Sequence, residues 1–390
     1  MKNPLLSILI ATKNRVPYCI NTIETILKFK NTNFELIIQD NTDTFELKDY
    51  IKSKIKDDRL IYNYTPPPFS SIDNFNTAIG LSNGKYVCLI GDDDGISSTI
   101  FAVVEWAQKS RVDSVCPKVF SDFYWPNAFY QGSKGYVTIP YFSSSVSKVN
   151  PKERIQDLLE DGIVDYMKFN LPKLYHGLIK KSCLDEIKNK NGYYLGGLSP
   201  DIYSSITLSY FVKNHIVLDF PITIAGACKS STTVAGLNGG HSGILSEAPH
   251  FRDRESYKWD SRIPKYYSVQ TIWAESAFRA IIDLNLPVNL AKFNLAKLVA
   301  KSLTSTPYHL KLFLNETNKA LNNNVLNKFY FYLKVLFNFF SIVLLKYLSK
   351  IINKIKNKFI FKSMSIYNVN NIEIATNKIE ILIKNQIKLP

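Results

Sequence analysis

The chain has 390 residues, enough for one large α/β domain with an appended segment or for two domains. Hydrophobic residues make up 46% and aromatic residues 13%, which excludes an intrinsically disordered chain. The five cysteines are odd in number and lack metal-ligand spacing, so we predict a reducing compartment without a disulfide framework. The apolar run 5–11 is short and lacks a cleavage site. It therefore indicates a first buried strand and not a signal peptide.

The net charge of +15 is concentrated at the C-terminal end of the chain. Residues 291–390 contain sixteen lysines and three acids, a net +13, whereas residues 1–290 carry only +2. The positive charge therefore belongs to the tail, and the preceding portion is nearly neutral. Because aromatic residues are not interleaved with the lysines as stacking platforms, we predict no nucleic-acid partner.

The first ninety residues alternate short apolar runs with helical patterns, as βαβ units do. We predict strands at 7–11, 34–39, 60–64 and 86–90, and helices at 18–29 and 72–81. Parallel strands of this kind bring their carboxyl ends to one edge of the sheet. The polar residues that follow three of them, Thr12, Asp40 and the run 92–94, predict a nucleotide-binding crevice at that edge.

The rest of the chain is less regular until residue 265, after which the pattern is helical to near the end. Helices are predicted at 151–160 and 181–189, and residues 234–247, with four glycines, indicate a mobile loop. We divide the chain into a nucleotide-binding half (1–110), a second half (111–235), a loop and helices that close the crevice (236–300), and a basic helical C-terminal region (301–390).

Three consecutive aspartates, Asp92, Asp93 and Asp94, directly follow an apolar strand. Like charges this close repel one another unless a cation compensates them. A hard divalent ion with oxygen ligands relieves that repulsion and can also bind a diphosphate. The alternative is a solvated acidic turn, but ordinary turns seldom place three acids at the end of a buried strand.

The order and spacing of these motifs resemble glycosyltransferase family 2, of the bacterial surface-polysaccharide type. The resemblance is carried by four short segments over residues 5–100: Thr12-Lys13-Asn14-Arg15, Asp40-Asn41, Asn74-Phe75-Asn76-Thr77-Ala78 and Asp92-Asp93-Asp94. It implies an α/β GT-A fold, a mostly parallel sheet flanked by helices, here with a helical C-terminal extension. It also implies Mn²⁺ or Mg²⁺ as cofactor and a nucleotide-diphosphate sugar, expected to be a UDP-sugar, as donor.

The resemblance implies that residues 1–110 form the nucleotide-sugar-binding half of the domain and residues 111–235 its acceptor-binding half. It also implies roles for individual residues. Asp40 would contact the nucleobase, Asp92 would lie toward the nucleoside, and Asp94 would ligate the metal that bridges the donor diphosphate. His241, on the glycine-rich loop, could complete the metal shell when that loop closes over the donor. The predicted donor-binding residues are Thr12, Asn14, Arg15, Asp40, Asn74, Asp92 and Asp93, and the predicted metal ligands are Asp92, Asp94 and His241.

Sugar transfer with inversion needs a base for the acceptor hydroxyl, and a positioned carboxylate can supply one. Asp201 is the best candidate, since it follows Ser199-Pro200 at the predicted start of a helix, where the family places a catalytic acid. The alternative is an acid that merely stabilises the helix dipole. Asp165 and Asp185 are further candidates for the base, and His176 is a candidate for the acceptor pocket.

Residues 329–348 are almost continuously apolar, and lysines follow them. At helical spacing Lys334, Asn338 and Ser341 form a narrow polar strip, so we predict an amphipathic helix that lies in the membrane interface. Lysines near an anionic leaflet add about 1 kcal/mol each. The protein is thus predicted to be cytoplasmic and peripheral at the inner face of the plasma membrane. A helical subdomain packed on the core and an oligomerisation helix are the alternatives.

The sequence therefore predicts an inverting glycosyltransferase that moves a sugar from a nucleotide sugar to a glycan or lipid-linked acceptor. Two other functions stay open. A nucleotidyltransferase also uses a metal at a sheet end, although it usually has a glycine-rich loop after strand one, and residues 11–17 contain no glycine. A non-catalytic module that binds nucleotide sugars is the other.

Overall fold

The computed structural model describes residues 3–231, 234, 242–254, 256–304, 309–321, 325–359, 363–383, 386–387 and 389. Its centre is an eight-stranded sheet with the order β3-β2-β1-β4-β10-β6-β11-β9. The strands of this sheet are β1 Leu6–Thr12, β2 Phe34–Asp40, β3 Leu60–Tyr64, β4 Tyr86–Ile90, β6 Ser114–Pro117, β9 Val146–Lys148, β10 Leu178–Lys180 and β11 His215–Leu218.

The first four strands of this sheet are parallel, whereas β10 enters antiparallel between β4 and β6. A second sheet of five strands has the order β15-β8-β7-β12-β5, and a hairpin pairs β13 with β14. The strands of these two sheets are β5 Gly95–Ile96, β7 Ser121–Tyr124, β8 Tyr136–Ile139, β12 Thr223–Ala227, β13 Ser242–Gly243, β14 Tyr267–Ser268 and β15 Met364–Tyr367.

Helices cover both faces of the large sheet. They are α1 Val16–Leu27, α2 Glu46–Lys54, α3 Ser71–Gly80, α4 Thr99–Lys109, α5 Lys152–Glu160, α6 Lys181–Asn191, α7 Pro200–Phe211, α8 Val269–Asp283, α9 Leu295–Leu303, α10 Leu310–Ala320, α11 Val325–Phe359 and α12 Ile372–Ile383. One hydrophobic cluster packs α1 and α4 against the sheet, and a larger one packs α3 and α5 to α9 against its other face.

Local sequence explains the elements that position the site. Every residue of β2 and β4 is buried, as in a sheet covered on both faces. Helix α1 has Pro17 in its first turn, where a missing N–H costs nothing. Helix α3 is capped by Ser70, whose side chain accepts a hydrogen bond from the Asp73 N–H.

The predicted strands and helices of the first ninety residues are all present, with bounds shifted by a few residues. The helix α2 was not predicted, because only Leu47 and Ile51 of its nine residues are buried and the rest is polar. The expectation that the chain is helical from residue 265 to near its end is wrong at β15. There Met364–Tyr367 pairs antiparallel with β8, and α12 then packs against α1.

The described part of the C-terminal region is helical before β15, as expected, but α11 is not amphipathic in the predicted sense. Its packed side is apolar, and the side chain of Val335 is 2% exposed. Its outer side is also apolar, so the strip of Lys334, Asn338 and Ser341 does not separate a polar face from an apolar one. Large exposed side chains on this outer side include Leu326, Phe329, Tyr330, Leu333, Leu336, Phe337, Phe340, Val343, Leu344, Leu345, Tyr347 and Leu348.

Candidate active site

The turn between β4 and β5 holds the three adjacent aspartates, which we call the carboxylate cluster (Asp92, Asp93 and Asp94). The cluster lies at the carboxyl end of β4, beside the end of β1, and each of its residues is at most 3% exposed. Burying three carboxylates costs free energy unless each is paired or hydrogen-bonded. The donors that surround them therefore define the site.

Asp92 faces the loop after β1. Its Oδ2 accepts a hydrogen bond of 2.6 Å from the Thr12 hydroxyl, and its Oδ1 lies 3.1 Å from Arg15 Nη1. Oδ1 has no hydrogen-bond partner among the described residues. Burial raises the pKa of Asp92, while the Arg15 guanidinium opposes that shift.

Asp93 lies between the same arginine and the second sheet. Its Oδ1 is 3.1 Å from Arg15 Nη1, and its Oδ2 accepts from the backbone N–H of Cys228 at 3.1 Å. Burial, reinforced by the two neighbouring carboxylates, raises the pKa of Asp93 to about 7. One guanidinium thus faces two buried acids, and negative charge remains uncompensated.

Asp94 points toward the other half of the molecule. Its Oδ1 accepts from the Gly226 N–H at 2.6 Å, and its Oδ2 accepts from the Gly91 N–H and the Tyr175 hydroxyl, each also at 2.6 Å. His176 Nε2 lies 3.3 Å from the same Oδ2, and burial lowers the pKa of that histidine, so the ring is neutral at pH 7. A side chain at Gly226 would collide with the backbone carbonyl of Asp93, which explains the glycine.

Asp201 lies in the first turn of α7, as predicted. Burial raises its pKa to about 6, Lys173 opposes that shift, and Asp94 adds to it. The side chain of Lys173 is itself buried, with its Nζ 4.8 Å from the centre of the Phe120 ring. The fold therefore brings Asp201 close enough to Asp94 for their charges to interact, although 106 residues separate them in the sequence.

The other predicted donor-binding residues take different positions. Asp40 is fully buried, where it accepts hydrogen bonds from the Tyr62 hydroxyl (2.7 Å) and the Thr42 N–H (2.8 Å). Asn14 has a φ of +58°, and its Nδ2 donates to the exposed Asp43 at 2.6 Å. In this arrangement Asp40 holds the end of β2, and Asn14 lies with Asp43 away from the carboxylate cluster.

Asn74 links α3 to the cluster. Its Nδ2 donates to the Thr12 carbonyl at 3.2 Å, and its buried Oδ1 has no partner within the part of the chain that the structure describes. His241, the third predicted metal ligand, lies outside the described residues. Asp165 is exposed and Asp185 pairs with Lys181, whereas Asp201 lies within electrostatic reach of Asp94.

Sequence reasoning missed several residues that complete the cluster. Gly226 and Cys228 donate backbone N–H groups, which no side-chain pattern reveals. Trp125 Nε1 donates to the Asp93 carbonyl at 2.9 Å, and the Thr22 hydroxyl donates to the Asp94 carbonyl at 2.9 Å. Tyr175 was visible in the sequence only as a neighbour of His176, without a signal of its own.

The α/β fold thus places buried acids at the end of a central strand. Residues 7–164 match the family model described as glycosyl transferase family 2. The chain is also similar to S. aureus TarS, solved in complex with UDP-GlcNAc, with a TM-score of 0.50 and 14% identity. That match covers 86% of this chain and 89% of TarS, and it confirms the predicted GT-A fold.

Two curated proteins are similar over the first part of the chain. The putative colanic acid biosynthesis glycosyl transferase WcaA of Escherichia coli (strain K12) is 34% identical over 94 residues, which is 24% of this chain and 33% of WcaA. An uncharacterized glycosyltransferase of Rickettsia bellii (strain RML369-C) is 30% identical over 96 residues, 24% of this chain and 14% of that protein. The matched segments thus span a third or less of these relatives.

Proposed function

We propose that the protein transfers a sugar from a nucleotide-diphosphate donor to a glycan or lipid-linked acceptor, with inversion, and that Asp201 is the base. The observation that carries this proposal is the Asp201 carboxylate in the first turn of α7, which lies within electrostatic reach of Asp94. Burial raises the pKa of Asp201 to about 6, and the charge of Asp94 from the first half of the chain adds to that rise. Such perturbed acids in one site are typical of catalytic centres.

The proposed chemistry needs one proton acceptor. As the acceptor oxygen attacks the anomeric carbon, its proton passes to the Asp201 carboxylate and the bond from that carbon to the diphosphate oxygen breaks. A base works best when its pKa lies near the working pH. The pKa of about 6 leaves Asp201 ionised at pH 7 and still basic enough to take the proton.

The carboxylate cluster fits a divalent cation chemically. Its carboxylates would supply hard oxygen ligands. Asp92 Oδ1 is buried without a hydrogen-bond partner in the described part of the chain. Arg15 compensates only one of the three carboxylate charges. Among the described residues no three acidic, histidine or cysteine side chains converge on one point. Mg²⁺ and Mn²⁺ sites of this kind are commonly completed by substrate phosphates. Bound Mn²⁺ or Mg²⁺, held by Asp92 and Asp94, would neutralise charge on the departing diphosphate.

Similar proteins guide the choice of substrates. TarS was solved with UDP-GlcNAc, and WcaA is named for colanic acid biosynthesis. We infer a UDP-sugar as donor and a surface polysaccharide or its lipid-linked precursor as the product.

The test is a thermal-shift screen of nucleotide sugars with and without Mn²⁺, followed by a donor-hydrolysis assay. We expect a UDP-sugar to raise the melting temperature only when Mn²⁺ is present, and slow hydrolysis of the same donor. A donor that binds without any hydrolysis or transfer would favour a non-catalytic module. Formation of a nucleotide-sugar product from a nucleoside triphosphate would instead identify a nucleotidyltransferase.

We further propose that α11 attaches the protein to the inner face of the plasma membrane. The segment Leu326–Ile352 has a mean hydropathy of 1.7 and is long enough to cross a bilayer, yet only 6% of its most apolar window is buried in the protein. Exposed apolar surface of this extent marks an interaction site. Lysines at positions 328, 334, 346 and 350 accompany it, as suits an anionic leaflet.

The two ends of α11 favour a helix that lies in the interface over one that spans the membrane. Val335, near its start, packs into the core around α9, and after its end β15 pairs with β8 of the same domain. A spanning helix would place β15 and β8 on opposite sides of the bilayer. Co-sedimentation with vesicles that contain anionic lipid tests the proposal, and equal recovery with neutral vesicles would contradict the role of the lysines.

A further inference from the structure

A cavity of about 500 Å³ lies beside the Gly196–Gly197 segment, between α3 and the C-terminal part of α8, which contributes Arg279. We call it the basic pocket, because three cationic side chains line it and Asp73 is the one acid among its lining residues. The lining residues are Ile72, Asp73, Asn76, Tyr193, Leu195, Gly196, Gly197, Arg254, Ser256, Tyr257, Lys258 and Arg279. Arg279 is paired with Asp283, which leaves Arg254 and Lys258 facing Asp73, so the pocket still has an excess of positive charge and suits an anion.

Arg254 is the central cation of the basic pocket. Its guanidinium donates to the Gly197 carbonyl and lies over the Tyr257 ring, with Cζ 4.9 Å from the ring centre. No carboxylate of the described residues lies within ion-pair distance of Arg254 or Lys258. Partial burial lowers the pKa of Arg254, because the charge is removed from water without a direct counter-ion. A bound anion would supply that counter-ion.

The wall of the pocket is held in place by a buried carboxylate. Asp283 accepts hydrogen bonds from the hydroxyls of Tyr193 (2.7 Å) and Tyr203 (2.9 Å), and it pairs with Arg279 Nε at 2.9 Å. A guanidinium has five N–H donors, so this pair leaves most of those of Arg279 for another partner. The pocket is therefore built before any ligand enters it.

The pocket adjoins both halves of the candidate active site. Gly197 precedes Asp201 by four residues, and the intervening segment is fixed because Leu198 and Ser199 donate their N–H groups to Ser276 Oγ. On the other side, Asp73 precedes Asn74, which is hydrogen-bonded to the Thr12 carbonyl. A ligand in the pocket would thus contact the segment that leads into the helix of the proposed base.

We propose that the basic pocket is an anion subsite that binds a phosphate group of the acceptor. This inference rests on the proposed function, because it assigns the acceptor to the side of Asp201. Guanidinium groups match phosphate oxygens in a two-pronged geometry, which favours phosphate as the anion. The cavity is larger than one phosphate, and its two tyrosines provide flat surfaces for the polyol or sugar that carries the phosphate.

The donor diphosphate is the other possible source of phosphate. We assign it to the carboxylate cluster, where Arg15 and the proposed cation site lie. The basic pocket is lined by residues from α3, the 193–197 segment and the 254–258 segment, and includes none of the cluster. Donor and acceptor phosphates should therefore bind at the same time.

The experiment is calorimetric titration of glycerol phosphate into the full chain, with and without saturating UDP and Mn²⁺. We expect Arg254→Gln to weaken glycerol phosphate binding by about tenfold or more and Lys258→Gln by a smaller factor, since each loses a charge-assisted contact. Lys258 is exposed and forms no ion pair with the residues that the structure describes, so its variant should fold even if Arg254→Gln does not. Lys265→Gln, at an exposed lysine outside the pocket, is the matched control.

Binding that persists with UDP present and weakens in the pocket variants, but not in the control, supports the subsite. Binding that is unchanged in Lys258→Gln and Arg254→Gln overturns it. Loss of binding when UDP is added also overturns it, because the phosphate would then belong to the donor. Donor hydrolysis is measured in the same samples, and its absence from the wild-type protein would count against the proposed transferase and leave the pocket result standing.

Discussion

The carboxylate cluster and helix α11 break the usual distribution of residues in opposite ways. The cluster buries three acids that proteins normally leave in water, while α11 exposes large apolar side chains that proteins normally bury. The cluster is surrounded by hydrogen-bond donors from both halves of the chain. The outer face of α11 leaves large apolar side chains such as Phe337 (74%) and Phe340 (66%) exposed.

This contrast shows two ways in which a ligand site can be recognised. At the cluster, the protein supplies many hydrogen-bond donors but only one nearby guanidinium for three carboxylates, and this imbalance is the basis of the proposed cation site. At α11 the missing component is a large apolar surface. Each region has an unfavourable feature that folding alone does not offset, and a partner of the right chemistry would offset it.

The largest expected effect comes from the base. Asp201→Asn should lower the transfer rate by about 10²–10⁴-fold, because the amide cannot accept the proton, while donor binding stays close to normal. Wild-type activity should rise with pH through about 6, as Asp201 ionises. Initial rates across pH and a donor thermal shift are the measurements.

The control for that prediction is Asp165→Asn. Asp165 is an acid of the same half that also looked suitable in the sequence, but it is exposed. The Asp165→Asn variant should transfer sugar at the wild-type rate. If Asp201→Asn also kept near-normal turnover, Asp201 would not be the base, and the reaction at the carboxylate cluster would need another proton acceptor.

The candidate site residues of the first half (1–110) could be predicted from sequence because they lie close together along the chain or directly after predicted strands. Asp92, Asp93 and Asp94 are contiguous, and Thr12 follows a strand whose alternation with helices indicates a parallel sheet. Once the strand ends are aligned, these side chains meet by geometry alone. The helix α2 was missed for the converse reason, since its apolar stripe is too narrow to give a signal.

The site residues of the second half (111–235) could be predicted only in part. Asp201 was predicted because it lies at the start of a helix. Lys173 and Tyr175 come from a segment without helical or strand periodicity of its apolar residues, so they gave no signal. The backbone N–H groups of Gly226 and Cys228 carry no side-chain signature. The strand β15 was also unpredictable, because it pairs with β8 across more than two hundred residues, and such pairing depends on tertiary contacts.

The membrane role of α11 can be tested by introducing negative charge on its outer face. Phe337→Glu combined with Leu344→Glu places two carboxylates where the side chains are 74% and 58% exposed. Binding to anionic vesicles should weaken by about tenfold or more, because apolar burial is lost and repulsion is added. Vesicle co-sedimentation measures the change, and folding should be unaffected since neither residue is buried.

Tyr130→Glu is the matched control, since Tyr130 is 71% exposed and lies far along the chain from α11. It should bind vesicles like the wild type. If the double variant did so too, the apolar face would not contact lipid. Self-association of the wild type in the absence of vesicles, lost in the double variant, would then indicate an oligomerisation helix.

The smallest effect concerns a buried acid outside both regions. Glu275 is 1% exposed and accepts hydrogen bonds from the Tyr257 hydroxyl and the Asp260 N–H, and burial raises its pKa to about 7. The folded state therefore holds a proton that the unfolded state releases near pH 4.5, so this group lowers the free energy of unfolding as pH rises from about 4.5 to 7. Glu275→Gln should flatten that decline in melting temperature, whereas Glu105→Gln at an exposed site should not. If melting temperature fell with pH equally in Glu275→Gln and wild type, burial of this carboxylate would not reduce stability. The same argument for the carboxylate cluster would then be weakened.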